Sequence, residues 1–144
     1  MTFIASAGLR KGKVSCADMA NAALAGGVSI GATCNQASPA AAFAIGAVAG
    51  TICVVGYIVI QPRLQKALKI VDTCGVHNLH GMPGLFGGVV ALILVPGLAA
   101  KAQIGGIGVT VVVALVAGTC SGYLIRLTGS KALAYEDKDE FGGG

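Results

Sequence analysis

Apolar residues fall into four long runs, at about 14–34, 39–60, 72–96 and 104–125, separated by short polar or basic breaks. Each run supplies the roughly 20 residues that an α-helix needs to cross a hydrocarbon core about 30 Å thick. The pattern predicts an all-α, polytopic transmembrane helical bundle with four spans over residues 14–126. Residues 1–13 are expected to form a cytoplasmic segment. Its apolar stretch precedes the basic Arg10, Lys11 and Lys13, the reverse of the charge order in a signal peptide. That stretch reads as the remnant of a preceding helix, and the chain as a fragment or truncated product of a longer protein. Residues 127–144 are charged and end in three glycines, which predicts a solvated, mostly disordered cytoplasmic tail.

Composition supports a membrane setting. The chain is 55% hydrophobic and 11% charged, where soluble domains carry roughly 25% charged residues. A soluble protein this apolar would expose large greasy patches. The net charge of +4 raises the question of nucleic acid, and its placement excludes it. Arg10, Lys11, Lys13, Arg63, Lys66, Lys69, Arg126, Lys131 and Lys138 fall on one side of the predicted spans, and only Lys101 falls on the other. Basic residues in the breaks, without interleaved aromatics, are topology determinants, and they predict that both termini and the middle break are cytoplasmic. The five cysteines have no repeated CxxC spacing and sit mostly in apolar runs, where free Cys packs as a small hydrophobe. Each span also carries one small-xxx-small pair: Gly27 and Gly31, Gly46 and Gly50, Gly84 and Gly88, Gly118 and Gly122. Such pairs let helix backbones approach closely in lipid.

Polar groups inside a membrane are costly, so they mark candidate sites. The third run concentrates them, in Asp72-Thr-Cys-Gly-Val-His77-Asn78-Leu-His80-Gly81-Met-Pro83-Gly84. Asp72 is placed to cap the helix N-terminus, or alternatively to support a cation near a conduction path. His77 and His80, three apart, are expected on roughly the same helix face. A neutral imidazole donates from one nitrogen and accepts at the other, so in a dry pore it can hand along a small molecule such as ammonia. The competing role is a buried histidine satisfied by another helix. Pro83 should loosen the helix just after His80, while Gly81 and Gly84 remove bulk at the same depth. Cys74, His77 and His80 also form a C-x-x-H-x-x-H run of possible zinc or copper ligands, but further ligands are scarce and no metal is expected. In the first run, Asp18 and Asn21 read as a polar pair for capping or a helix interface rather than for substrate contact. No hydrolase triad, phosphate-cradling loop or dinucleotide fingerprint appears, so neither enzymatic catalysis nor a cofactor is expected.

The segment from Asp72 to Gly84 resembles the signature of the Rh (Rhesus) branch of the Amt/Rh ammonium transporters. Asp18-Met-Ala-Asn21-Ala-Ala-Leu-Ala-Gly-Gly27 is similar to the start of an earlier helix of that branch. The resemblance covers nearly the whole chain and implies that its four spans correspond to the last four helices of a fold with eleven or more. It implies a trimer, homomeric or with related subunits, and a pore through each subunit lined by two histidines from opposite halves of an inverted repeat. Matched along D-x-C-x-V-x-x-x-H-G-x-x-G, His80 takes the place of one pore histidine and Asp72 that of the family's aspartate. His77 falls where some branches carry an aromatic residue. Asn78, Gly81 and Gly84 stand as supporting residues. The other pore histidine, the phenylalanine gate and the outer recruitment site belong to helices outside these 144 residues. The function implied is ammonium/ammonia transport by a partial Rh-type channel in a lipid bilayer, expected to be the plasma membrane. The alternatives are a non-conducting membrane fragment that assembles with full-length subunits, or a small metal-binding membrane protein.

Overall fold

The computed structural model describes residues 1–72 and 74–129. Six α-helices follow one another: α1 (Thr2–Leu9), α2 (Cys16–Ile30), α3 (Pro39–Val55), α4 (Gln61–Leu68), α5 (Met82–Leu94) and α6 (Ala100–Thr128). No strand occurs among the described residues. The predicted disordered tail lies, apart from its first residues, outside them.

Local chemistry explains the boundaries. The Ser38 hydroxyl accepts from the Ala41 N–H at 3.3 Å, and Pro39 opens α3, where a missing N–H costs nothing. The helix does not stop near residue 60 as the sequence pattern suggested. A π-helical turn at Gly56–Ile60 joins α3 to α4, giving continuous helix over Pro39–Leu68. Pro62 lacks an N–H and its ring would press on the carbonyl four residues earlier. In the wider turn the Gln61 N–H bonds to the Gly56 carbonyl, a π-type pattern that accommodates a proline next to it. The basic stretch expected as a break is therefore helical to Leu68, and Lys69, at φ 53°, ends it.

The third apolar run also departs from expectation at its start. Residues 69–72, 74 and 75 are not helical. Gly75 takes φ +66° and lies against the Tyr57 ring, a backbone state open to glycine. Helix begins at Val76, passes through a π-helical turn at His77–Gly81, and continues as α5. Pro83 follows this turn just as Pro62 follows the other.

Two helical stretches, Pro39–Leu68 with mean hydropathy 2.3 and Ala100–Thr128 with 2.0, are long and apolar enough to cross a membrane. The runs expected as the first and third spans form shorter α-helices, 15 residues in α2 and 13 in α5. A 3-10 turn at Gly31–Thr33 extends α2, and the π-helical turn precedes α5.

Met1–Ile107 forms one unit and a second begins at Gly108. In the second, residues 108–129 are all exposed. In the first, α2 is the hub. It buries Asp18, Ala22, Ala25 and Ser29, a helical stripe packed against α3 and α5. Small residues allow the contact: a Cβ on Gly26 would stand 3.4 Å from the Gly46 Cα, and one on Gly50 would meet Thr2 and Ala22. Gly27 and Gly31, expected to provide the close approach, meet open space. The buried stripe runs beside Gly26, which leaves Gly27 and Gly31 off the packed face.

The tightest crossing is between α2 and α5. Ser29 Oγ donates to the Pro83 carbonyl at 2.9 Å, and a Cβ on Gly87 would run into the Ser29 backbone carbonyl. Gly87→Ala should therefore destabilise the bundle by about 1–3 kcal/mol, as overpacking does. Gly27→Ala should be neutral or stabilising by up to about 1 kcal/mol from helix propensity. Thermal unfolding in detergent separates the two; equal midpoints would refute this crossing.

Candidate functional site

The two π-helical turns are linked by side chains. From the first helix comes Gln61, half-buried at the end of its turn; from the second comes Asn78, fully buried. Asn78 Nδ2 donates to Gln61 Oε1 at 2.7 Å, and Gln61 Nε2 donates to the Asp72 carbonyl at 2.8 Å. Gly56 makes room: a Cβ there would collide with Met82 and Asn78. A buried amide in an apolar bundle is costly unless bonded, and this one is. Tyr57 adds a second tie, its hydroxyl donating to the Cys74 carbonyl at 2.9 Å.

Asp72 caps the helix. Its carboxylate oxygens accept from the N–H groups of Val76 at 3.0 Å and His77 at 3.2 Å, groups that lack intrahelical partners. The cap and the amide chain fix the turn that carries both histidines.

His77 and His80 are exposed, with buried Asn78 between them. His77 Nδ1 lies 3.3 Å from Asn78 Oδ1. The turn is π-helical, so the α-helical spacing used to place both imidazoles on one face does not apply to it. Gly81 and Gly84 are exposed; Gly84 lies near Val28, and Gly81 near the His77 ring. Cys74 is exposed in the loop before the helix. Among the described residues, no group of three His, Cys, Asp or Glu is arranged to hold a metal.

Of the two polar residues near the start of α2, Asp18 makes an interface contact. Asp18, 3% exposed, receives Ser6 Oγ at 2.6 Å and a two-pronged contact from Arg10, Nε at 2.7 Å and Nη2 at 2.8 Å. Asn21 is half-buried and takes no part in this cluster. The cluster ties α1 to α2. A groove of about 430 Å³ lies between α1, α2 and α3, lined by residues including Phe3, Met19, Phe43 and Gly46, and contains neither histidine.

The sequence model of the Ammonium Transporter Family matches residues 1–143. The chain belongs to that family. The family is one of transporters rather than enzymes. Its Rh-type relatives include ammonium transporter Rh type A of Mus musculus, 39% identical over 123 residues, covering 82% of this chain and 28% of that protein. Rh type B of Xenopus tropicalis is 45% identical over 107 residues, covering 74% and 23%. The solved structure of Nitrosomonas europaea Rh50, described as a channel of the Rhesus protein family, superposes with a TM-score of 0.88 at 56% identity, covering 97% of this chain and 37% of that one. The chain thus spans about a quarter of the length of these curated relatives.

Sequence reasoning missed Gln61, Tyr57, Ser6 and Arg10. Gln61 carries a signal, a polar side chain ending an apolar run just before a proline, although the pattern places it in the basic break. Arg10 reads in the sequence only as a topology charge.

Proposed function

We propose that this ammonium transporter family member takes part in ammonium/ammonia transport across a membrane, with His80 as one histidine of an Rh-type pore. The carrying observation is the exposed His80 imidazole on a π-helical turn held from behind by buried Asn78 and capped by Asp72. π-helical turns recur at functional positions. An exposed imidazole on a fixed turn suits one wall of a pore whose opposite wall comes from other helices. Ammonium would release a proton before passage, because a bare cation in hydrocarbon is expensive; neutral ammonia then exchanges hydrogen bonds with His80. In this reading the apolar runs make four crossings, both termini face the cytoplasm at the plasma membrane, and the assembly is a trimer.

A second reading is favoured by the glycine-mediated contacts: a non-conducting membrane segment that assembles with full-length Rh-type subunits. Reconstitution separates the two. Ammonia flux into vesicles containing this chain, above protein-free vesicles, supports conduction. No flux, with co-purification of a co-expressed full-length relative, supports assembly. Neither result overturns both.

A further inference from the structure

A backbone carbonyl can only accept a hydrogen bond. The Gln61 atom 2.8 Å from the Asp72 carbonyl must therefore be the donor Nε2. This orientation turns Gln61 Oε1 toward Asn78, which answers with Nδ2 at 2.7 Å. Asn78 Oδ1 is left facing His77 Nδ1 at 3.3 Å. An amide oxygen accepts only, so that contact is a hydrogen bond when Nδ1 carries the proton. In a neutral imidazole, a proton on Nδ1 leaves the lone pair on Nε2.

We propose that the Asp72 carbonyl, acting through the Gln61 and Asn78 amides, holds His77 in its Nδ1–H tautomer and so presents Nε2 as an acceptor for a small N–H-bearing ligand, ammonium or ammonia. The ligand part rests on the transport reading above; the tautomer part does not. Gln61 and Asn78 are positioning residues, since they act through the imidazole. Asn78 is fully buried and Gln61 half-buried, so turning either amide over would break a bond that water cannot readily replace. His77 itself is exposed, which leaves its ring open to a ligand. The role of His77 is then to accept from a donor-rich molecule.

Nitrogen-15 NMR of the histidine-labelled full chain in bilayers, at a pH where imidazole is neutral (about 8.5), reads the tautomer directly, with His80→Ala assigning the signals. The expected result is a protonated Nδ1 and unprotonated Nε2 on His77. Gln61→Glu still accepts from Asn78 and should keep this pattern. Gln61→Lys can only donate, so Asn78 should turn its oxygen to the lysine and its Nδ2 to His77, exchanging the two nitrogen signals. An Nε2–H tautomer in the unsubstituted chain, or an unchanged tautomer in folded Gln61→Lys, overturns the relay. If Gln61→Lys does not fold, the unsubstituted chain and Gln61→Glu still decide. Ammonium chloride should shift the His77 Nε2 signal where tetramethylammonium chloride, which has no N–H, does not. Equal responses overturn the ligand assignment and leave the tautomer result standing; absent vesicle flux would count against transport and against neither NMR result.

Discussion

Arg10→Ala is expected to lower the stability of the bundle by about 2–3 kcal/mol, at or below the lower limit of the cost of breaking a fully buried ion pair. The guanidinium meets both Asp18 oxygens, at 2.7 and 2.8 Å, the forked geometry that makes Arg–carboxylate pairs strong. Its removal leaves a carboxylate only 3% exposed with the Ser6 hydroxyl as its remaining side-chain partner. The Arg10 side chain is 40% exposed, so water replaces part of what is lost. Arg10→Lys should fall between, because an ammonium cannot form the fork. The double change Arg10→Met with Asp18→Leu should recover most of the loss, since no charge is then stranded. Unfolding in detergent as a double-mutant cycle measures the coupling; a value near zero would show that the contact contributes nothing.

Asn78→Ala is expected to cost about 2–4 kcal/mol, combining a cavity with a stripped hydrogen-bond partner. Asn78 is fully buried, and its amide joins the two π-helical turns through Gln61. Without it, Gln61 Oε1 loses its donor and His77 Nδ1 its acceptor. Asn21→Ala is the control, because Asn21 is half-buried and lies outside both side-chain clusters. The same unfolding measurement applies. Equal losses at the two positions would mean that the amide chain does not hold the turns together.

These residues mark where sequence pattern stops being informative. The start of α3 was legible because Ser38 and Pro39 are local signals. Its continuation to Leu68 was not, because a proline after an apolar run reads as a stop unless a π-helical turn accommodates it. Asp72 was legible as a cap, yet the helix begins four residues later because Gly75 adopts positive φ. Arg10 and Asp18 are eight apart with a turn between them, in which Lys11 and Gly12 both have positive φ. Their meeting depends on how α1 folds back onto α2, and no periodicity encodes that. The choice of Gly26 over Gly27 as the contact to α3 depends likewise on which face of α2 packs. At the candidate site the histidines and Asp72 could be read from residue type, whereas the partner of Gln61 becomes visible only when the second helix brings Asn78 to it.

Ammonia entry into vesicles containing the chain, followed by an internal pH indicator, tests the role of His80 most directly. His80→Ala should slow entry by about tenfold relative to the unsubstituted chain, the rate equivalent of one lost hydrogen bond along the path, while leaving helix content and insertion unchanged. Flux above the protein-free background that is the same with and without the imidazole would contradict the account.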